Sequence, residues 1–174
     1  FGVAVLNDGR YGHSVQANDP RGHQVVVSLL RSAKYPDPTQ DHGHHRFTIA
    51  LLPHGPGLHD VVRQAEALNN PLRLAAPGVA DAMPAPVVEA GHPGVQVVAV
   101  KCADDGSGDL IVRLAEVCGA RSALTVHTQE RIGDASRCNL LEEPQLSLDT
   151  ADGIVALTLR PFELVTLRLS PACP

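Results

Sequence analysis

The chain has 174 residues, of which 44% are hydrophobic and 3% aromatic, with no Trp, and it carries a net charge of −5 with a pI near 5.9. That length can bury a sizeable core and fits one domain or two small ones. The charge offers no basic footprint for nucleic acid or an anionic membrane, and no apolar run approaches the roughly 18–20 residues of a membrane helix. With so few aromatics, the core must be built from Val, Leu, Ile and Ala.

Fourteen prolines and fifteen glycines in short clusters argue for many turns and many short strands. Phe1 to Leu6 reads as a strand with no lead-in, as expected of a piece of a longer polypeptide. Asn7-Asp8-Gly9 follows as a turn, since Asn and Asp tolerate left-handed φ and Gly adopts it freely. His13 to Gly22 reads as a second polar turn region. Val25 to Leu30 is a continuous apolar run, the pattern of a strand buried on both faces.

Pro36 and Pro38 then fix φ and remove two backbone donors, so neither strand nor helix continues there. From Phe47 the alternation resumes, with Phe47, Ile49 and Leu51 on one face and Thr48, Ala50 and Leu52 on the other. The expectation is that these two strands leave and re-enter one sheet through a long polar loop. After Gly55-Pro56-Gly57 the period changes. Val61, Val62, Ala65 and Leu68 recur at helical spacing, with Asp60 near the start, and predict one short helix over His59 to Asn69.

Ala75 to Gly94, rich in Pro and Gly, reads as a linker or extended crossover. From Val95 the pattern is β to the end. Asp104 to Gly108 is a hairpin turn after which Leu110 to Val117 pairs back. Leu124 and Val126 oppose Thr125 and His127. Gln145 to Asp149 and Ile154 to Leu159 flank Ala151-Asp152-Gly153, a second hairpin. In the closing strand Val165, Leu167 and Leu169 point inward against Thr166 and Arg168. Pro161 belongs at a bulge or sheet edge. The predicted fold is all-β, built of antiparallel sandwiches with one helix.

Nine histidines raise the question of a metal. The densest group is Asp41, His42, His44 and His45, but on an extended chain His42 and His44 share a face that His45 does not. A closed zinc site needs three or four converging ligands, so the cluster reads as a solvated turn with His45 hydrogen-bonded to Asp41 or to the backbone. No G-x-S-x-G or phosphate-binding glycine loop is present. The adjacent acids Asp104/Asp105 and Glu142/Glu143 face opposite ways along an extended chain. A retaining glycosidase holds its two carboxyls about 5–5.5 Å apart across a cleft, so these read as turn acids. Cys102, Cys118, Cys138 and Cys173 lack C-x-x-C spacing and read as free thiols of a reducing cytoplasm, a disulfide being the alternative.

In the loop Leu6 to Gly12, Arg10 and Tyr11 are surface groups on the plain reading. On the functional reading Asn7, Asp8, Arg10 and Tyr11 line a sugar subsite, because they offer acceptor, donor and stacking face to sugar hydroxyls.

Ordered motifs carry a resemblance: LNDGRYG at Leu6 to Gly12, Ser28-Leu29-Leu30-Arg31, Pro36-Asp37-Pro38, then Asp41, Gly43, His45 and Phe47, and Ala50-Leu51 with Pro53-His54. Further on come ALNNPL at Ala67 to Leu72, NLLE at Asn139 to Glu142, and LRPFELVTLRL at Leu159 to Leu169. The chain resembles the C-terminal β-region of class II α-mannosidases, glycoside hydrolase family thirty-eight, in its bacterial and cytosolic-type branch. The resemblance implies that residues 1–75 form part of a larger mutarotase-like supersandwich, 76–94 a linker, and 95–174 a small C-terminal sandwich. It implies a parent enzyme that hydrolyses α-mannosides with retention, its zinc or other divalent metal, nucleophile and acid/base lying in an N-terminal catalytic domain. This chain would then be inactive by itself, hold no metal or cofactor and no catalytic residue, pack on that catalytic domain and help close the cleft. The implied partners are that domain and the α-mannoside, without nucleic acid or membrane, and a second copy could pair along the exposed edge of Phe1 to Leu6. The rival readings are a freestanding carbohydrate-binding module, weakened by having Tyr11 and Tyr35 as its only tyrosines, and a structural β-sandwich module.

Overall fold

The computed structural model describes residues 1–17, 20, 22–72, 86–129 and 131–172. The chain divides into two units, Phe1–Pro56 with Asp60–Arg73, and Gly57–His59 with Leu74–Pro174.

The first unit has two small antiparallel sheets. Strands β1 (Gly2–Asn7) and β4 (Ile49–His54) form one, and β2 (His13–Gln16) and β3 (Gln24–Val27) the other. In the first ladder Val5 lies opposite Leu51 and Leu6 opposite Ala50. Helix α1 (His59–Asn69) lies in this unit except for its first residue. Its half-buried positions are Val61, Val62, Ala65 and Leu68, the face that the spacing predicts. Three expectations are corrected here. His13–Gln16 form a strand and not a turn. The apolar run from Val25 is in the ladder only to Val27, with Val25 and Val26 exposed. The strands before and after the proline loop pair with β2 and β1 respectively, so they belong to different sheets. The ladder carries one bond past Val27, the Ser28 N–H donating to the Gly12 carbonyl at 2.8 Å, and the physical reason for the exposure is the size of the sheet. A four-residue strand with one partner has little to bury itself against.

The second unit is an antiparallel sandwich. One sheet runs β10 (Pro144–Leu148), β9 (Ile132–Cys138), β13 (Leu164–Pro171), β7 (Leu110–Glu116), β6 (Val95–Cys102). The other runs β11 (Thr150–Ala151), β12 (Ile154–Leu159), β8 (Ser122–Thr128), β5 (Val88–Ala90). The predicted β6–β7 hairpin is present, Cys102 facing Leu110. So is the Asp152-Gly153 turn, whose φ values of 53° and 76° match the right-handed twist of a two-residue hairpin. That hairpin joins β11 to β12, however. Gln145–Leu148 instead pair with β9 in the opposite sheet, because the chain crosses between layers at Asp149. Pro161 sits in the turn between β12 and β13 and not at a sheet edge. Most of the stretch read as a crossover lies outside the described residues, and its last part carries β5.

The core lies between the layers. Val112, Leu114, Val165, Leu167 and Leu169 from the larger sheet meet Leu124, Val126, Val155 and Leu159 from the smaller. Each such side chain contributes about 1.5–3 kcal/mol of apolar burial. Val, Leu and Ile supply this core with no aromatic member.

Candidate functional site

The loop after β1 is built from its own first residue. Asn7 Oδ1 accepts the backbone N–H of Gly9 at 3.0 Å and that of Arg10, closing an Asx turn in which Gly9 takes a φ of 112°. His13 secures the far side. Its Nε2 accepts from Asn7 Nδ2 and its Nδ1 donates to the Tyr11 carbonyl, both at 3.2 Å. From the helix, Asn69 Nδ2 donates to the Asn7 carbonyl at 3.1 Å.

The other side chains of the loop are tied to more distant parts of the same unit. Asp8 Oδ2 accepts the N–H of Thr48 at 2.9 Å. That backbone bond, with the Thr48 hydroxyl next, lowers the Asp8 pKa below its ordinary value. Arg10 donates to the Leu29 carbonyl at 3.2 Å, and its guanidinium carbon lies 4.6 Å from the centre of the Phe47 ring, a cation–π contact. Phe47 in turn stacks on His45, ring centres 6.0 Å apart. Tyr11 is 92% exposed. The structure therefore brings Asn7, Asp8 and Arg10 into one braced ledge and leaves the Tyr11 ring open beside it. Thr48, His13, Phe47 and Asn69 brace the ledge and were not legible as such. Thr48 lies forty residues from Asp8, beyond any local pattern.

The histidine-rich turn does not fit a zinc ion. His45 Nε2 donates to the Asp41 carbonyl at 2.8 Å, and among the described residues no three His, Cys, Asp or Glu side chains converge.

In the sandwich the acids hold turns. Glu142 Oε2 accepts the Asp104 N–H at 3.0 Å while Oε1 pairs with Lys101 at 2.7 Å. Asp105 pairs with Arg168 at 2.7 Å, and Asp109 also engages that guanidinium. Asn139 Nδ2 donates to Glu143 at 2.7 Å. Glu116, which the sequence reading passed over, is 2% exposed and accepts backbone N–H groups from Cys118, Gly119 and Phe162 at 2.8–3.0 Å. A cavity of about 380 Å³ opens among Leu110, Thr128, Arg131, Ile132 and Leu169.

These arrangements bind and brace, and none places two carboxyls across a cleft. Comparison with known proteins gives them a setting. Residues 94–167 match the C-terminal beta sandwich domain of glycosyl hydrolases family 38, and residues 1–39 match the C-terminal domain of the same family. The chain belongs to glycosyl hydrolases family 38. The family 38 sandwich match begins at Gly94, one residue before β6, and ends inside β13. The chain is 38% identical to human alpha-mannosidase 2C1 over 176 residues, covering 97% of the chain. It is 32% identical to alpha-mannosidase G of Dictyostelium discoideum and 27% identical to an alpha-mannosidase of Saccharomyces cerevisiae, again over 97% of the chain. It spans 16–17% of the length of these relatives.

Proposed function

We propose that this chain serves as the non-catalytic C-terminal β-region of an α-mannosidase, a parent enzyme that cleaves α-mannosides with retention of configuration. The observation that carries the reading is the order of the two matches. Two C-terminal models of family 38 fall in sequence on a chain corresponding to 16% of a named α-mannosidase. The sandwich acids described above support it, since Asp105, Asp109, Glu116, Glu142 and Glu143 are each committed to a turn or an ion pair. The zinc or other divalent ion expected of the parent would be held outside this chain, whose His42–His45 turn does not fit it.

In this reading the sandwich packs on the catalytic domain, and the braced ledge Asn7, Asp8 and Arg10 with the open Tyr11 ring forms part of the cleft wall. Asp8, kept ionised by Thr48, offers an acceptor to a sugar hydroxyl, and Tyr11 offers a stacking face. The compartment is the cytoplasm. Cys102, Cys118 and Cys138 are free thiols, while Cys173 lies outside the described residues. No helix among the described residues is long and apolar enough to cross a membrane.

The test uses the complete native polypeptide with an aryl α-mannoside, following the anomer released by NMR. Release of the α-anomer first supports the reading. Release of the β-anomer, or no turnover by a folded, metal-loaded polypeptide, overturns it.

A further inference from the structure

The cavity of about 380 Å³ lies at one end of the sandwich and draws its lining from both layers. In the five-stranded sheet Cys102 faces Leu110, Leu110 faces Leu169, and Pro171 faces Ile132, while Val88 faces Thr128 in the four-stranded one. Val87, Leu110, Ile132, Leu169 and Pro171 make its apolar wall. Protein interiors pack at crystal density and keep few voids larger than a water molecule. A space of this size falls instead within the roughly 300–1,000 Å³ of small-molecule sites.

A second cavity of about 310 Å³ adjoins the first. The two share Thr128, Gln129 and Arg131, and the second adds His127, Asp152 and Gly153. Arg131 therefore stands on the rim between them. Its stem lies against Gly153, where an added Cβ would come within 3.1 Å of Arg131 Cγ. Among the described residues neither the Arg131 guanidinium nor the Asp152 carboxylate has a hydrogen-bond or ion-pair partner. An apolar chamber thus adjoins a polar one that holds groups of both charge signs.

Those two properties select a ligand class. A simple anion drawn to Arg131 is repelled by Asp152, and a simple cation meets the reverse. Sugar hydroxyls suit both, since each donates to a carboxylate and accepts from a guanidinium. Among the described residues no Phe, Tyr or Trp lines either cavity. A sugar alone finds no stacking platform here, so the apolar chamber must supply the remaining contact. We propose that the two cavities form one binding site for an amphipathic glycoside, with its apolar tail in the first and its sugar between Arg131 and Asp152. The site lies wholly in the second unit, whereas the mannoside contacts assigned to the ledge lie in the first.

The reporter is Cys102, a free, exposed thiol that lines the apolar cavity. Its alkylation rate in the full native polypeptide is read by mass spectrometry, with Cys118 as the control. The probe is n-octyl β-glucoside below its micelle concentration, a glycoside that mannoside hydrolysis does not consume. It should slow alkylation of Cys102 and leave Cys118 unchanged. Half-protection should come at a concentration about tenfold below that of octanol, the ratio that about 1.4 kcal/mol of head-group binding produces. Methyl glucoside, which has no tail, should protect only at far higher concentration. Arg131→Ala and Asp152→Asn, the latter tolerated at a φ of 53°, should each abolish the advantage over octanol while octanol protects as before. Unslowed alkylation of Cys102, or equal slowing of Cys118, overturns the proposal. So does equal protection by octanol and the glucoside, which leaves an apolar cavity without sugar recognition. A Cys102 that does not react in the ligand-free polypeptide shows the mouth covered and overturns it as well. None of these outcomes depends on mannoside turnover, so a failure here and a failure of the reading under Proposed function are told apart.

Discussion

The carboxylate of Glu116 accepts the backbone N–H of Phe162 at 2.9 Å, forty-six residues further along the chain. The same carboxylate takes the N–H groups of Cys118 and Gly119, so one side chain closes the β7–β8 turn and fastens it to the β12–β13 turn. Burial pushes the Glu116 pKa up, but the backbone donors of Phe162, Ala120, Cys118 and Gly119 outweigh it and leave the value lowered. Glu116→Ala should therefore lower the melting temperature of the sandwich markedly, by on the order of 5–10 °C. Glu116→Gln, which keeps one acceptor oxygen, should fall between. Differential scanning calorimetry of the three proteins checks the order, and an unchanged melting temperature for Glu116→Ala would refute the structural role.

The carboxylates also set how the fold responds to acid. Asp105 is lowered from the ordinary 3.8 to about 2, chiefly by the backbone N–H and hydroxyl of Ser107 and then by Arg168. Glu116, Glu142 and Glu163 are likewise lowered. A carboxylate whose folded pKa lies below its unfolded value stabilises the protein above the unfolded value, and that contribution is lost as pH falls through the folded one. Stability should thus be level near neutrality and decline from about pH 4.5, the ordinary value for Glu, downward. Urea unfolding at stepped pH measures this, and Asp105→Asn should flatten the curve between the ordinary Asp value and about 2. Stability that rises on acidification would contradict the ion-pair geometry.

Where one physical signal dominated, the chain was readable. The helix face of Val61, Val62, Ala65 and Leu68 emerged because periodicity and burial agree there, and the row Val165, Leu167 and Leu169 emerged from its alternation although Thr166 between them is buried as well. Strand β9 was missed. Its buried apolar residues are Ile132, Ala135 and Cys138, and the first two are three apart because the register with β13 shifts between Ser170 and Pro171. A bulge of that kind erases the alternation on which strand recognition depends. The run from Val25 misled for the opposite reason, its composition promising burial that a two-stranded sheet cannot supply. At the ledge, the residues themselves stood out, while the bracing from Thr48 and Asn69 depended on chain pairing invisible in one dimension.

Ser122 makes a separate case. Its side chain is fully buried at the start of β8, opposite Leu159, and its hydroxyl has no hydrogen-bond partner among the described residues. A buried hydroxyl without a partner carries its desolvation penalty uncompensated, so Ser122→Ala should stabilise the sandwich by about 1 kcal/mol. Chemical denaturation resolves a change of that size, and a loss of stability would reveal a partner for the hydroxyl.

The thiols should react in order of exposure. Cys102 is exposed, Cys118 half-buried and Cys138 buried, and burial followed by the nearby Glu116 charge raises the Cys118 pKa. A chromogenic disulfide reagent at neutral pH should modify Cys102 first, Cys118 more slowly, and Cys138 only on unfolding. Prompt labelling of Cys138 in the folded protein would place the β9 strand wrongly.

The measurement that tests the central claim most directly is a side-by-side assay of α-mannoside hydrolysis by the complete native polypeptide and by residues 1–174 purified free of host glycosidases. The account predicts turnover by the complete polypeptide and none by the shorter chain, in which Asp105, Asp109, Glu116, Glu142 and Glu163 are committed to turns and ion pairs. Reproducible turnover by residues 1–174 alone would contradict it.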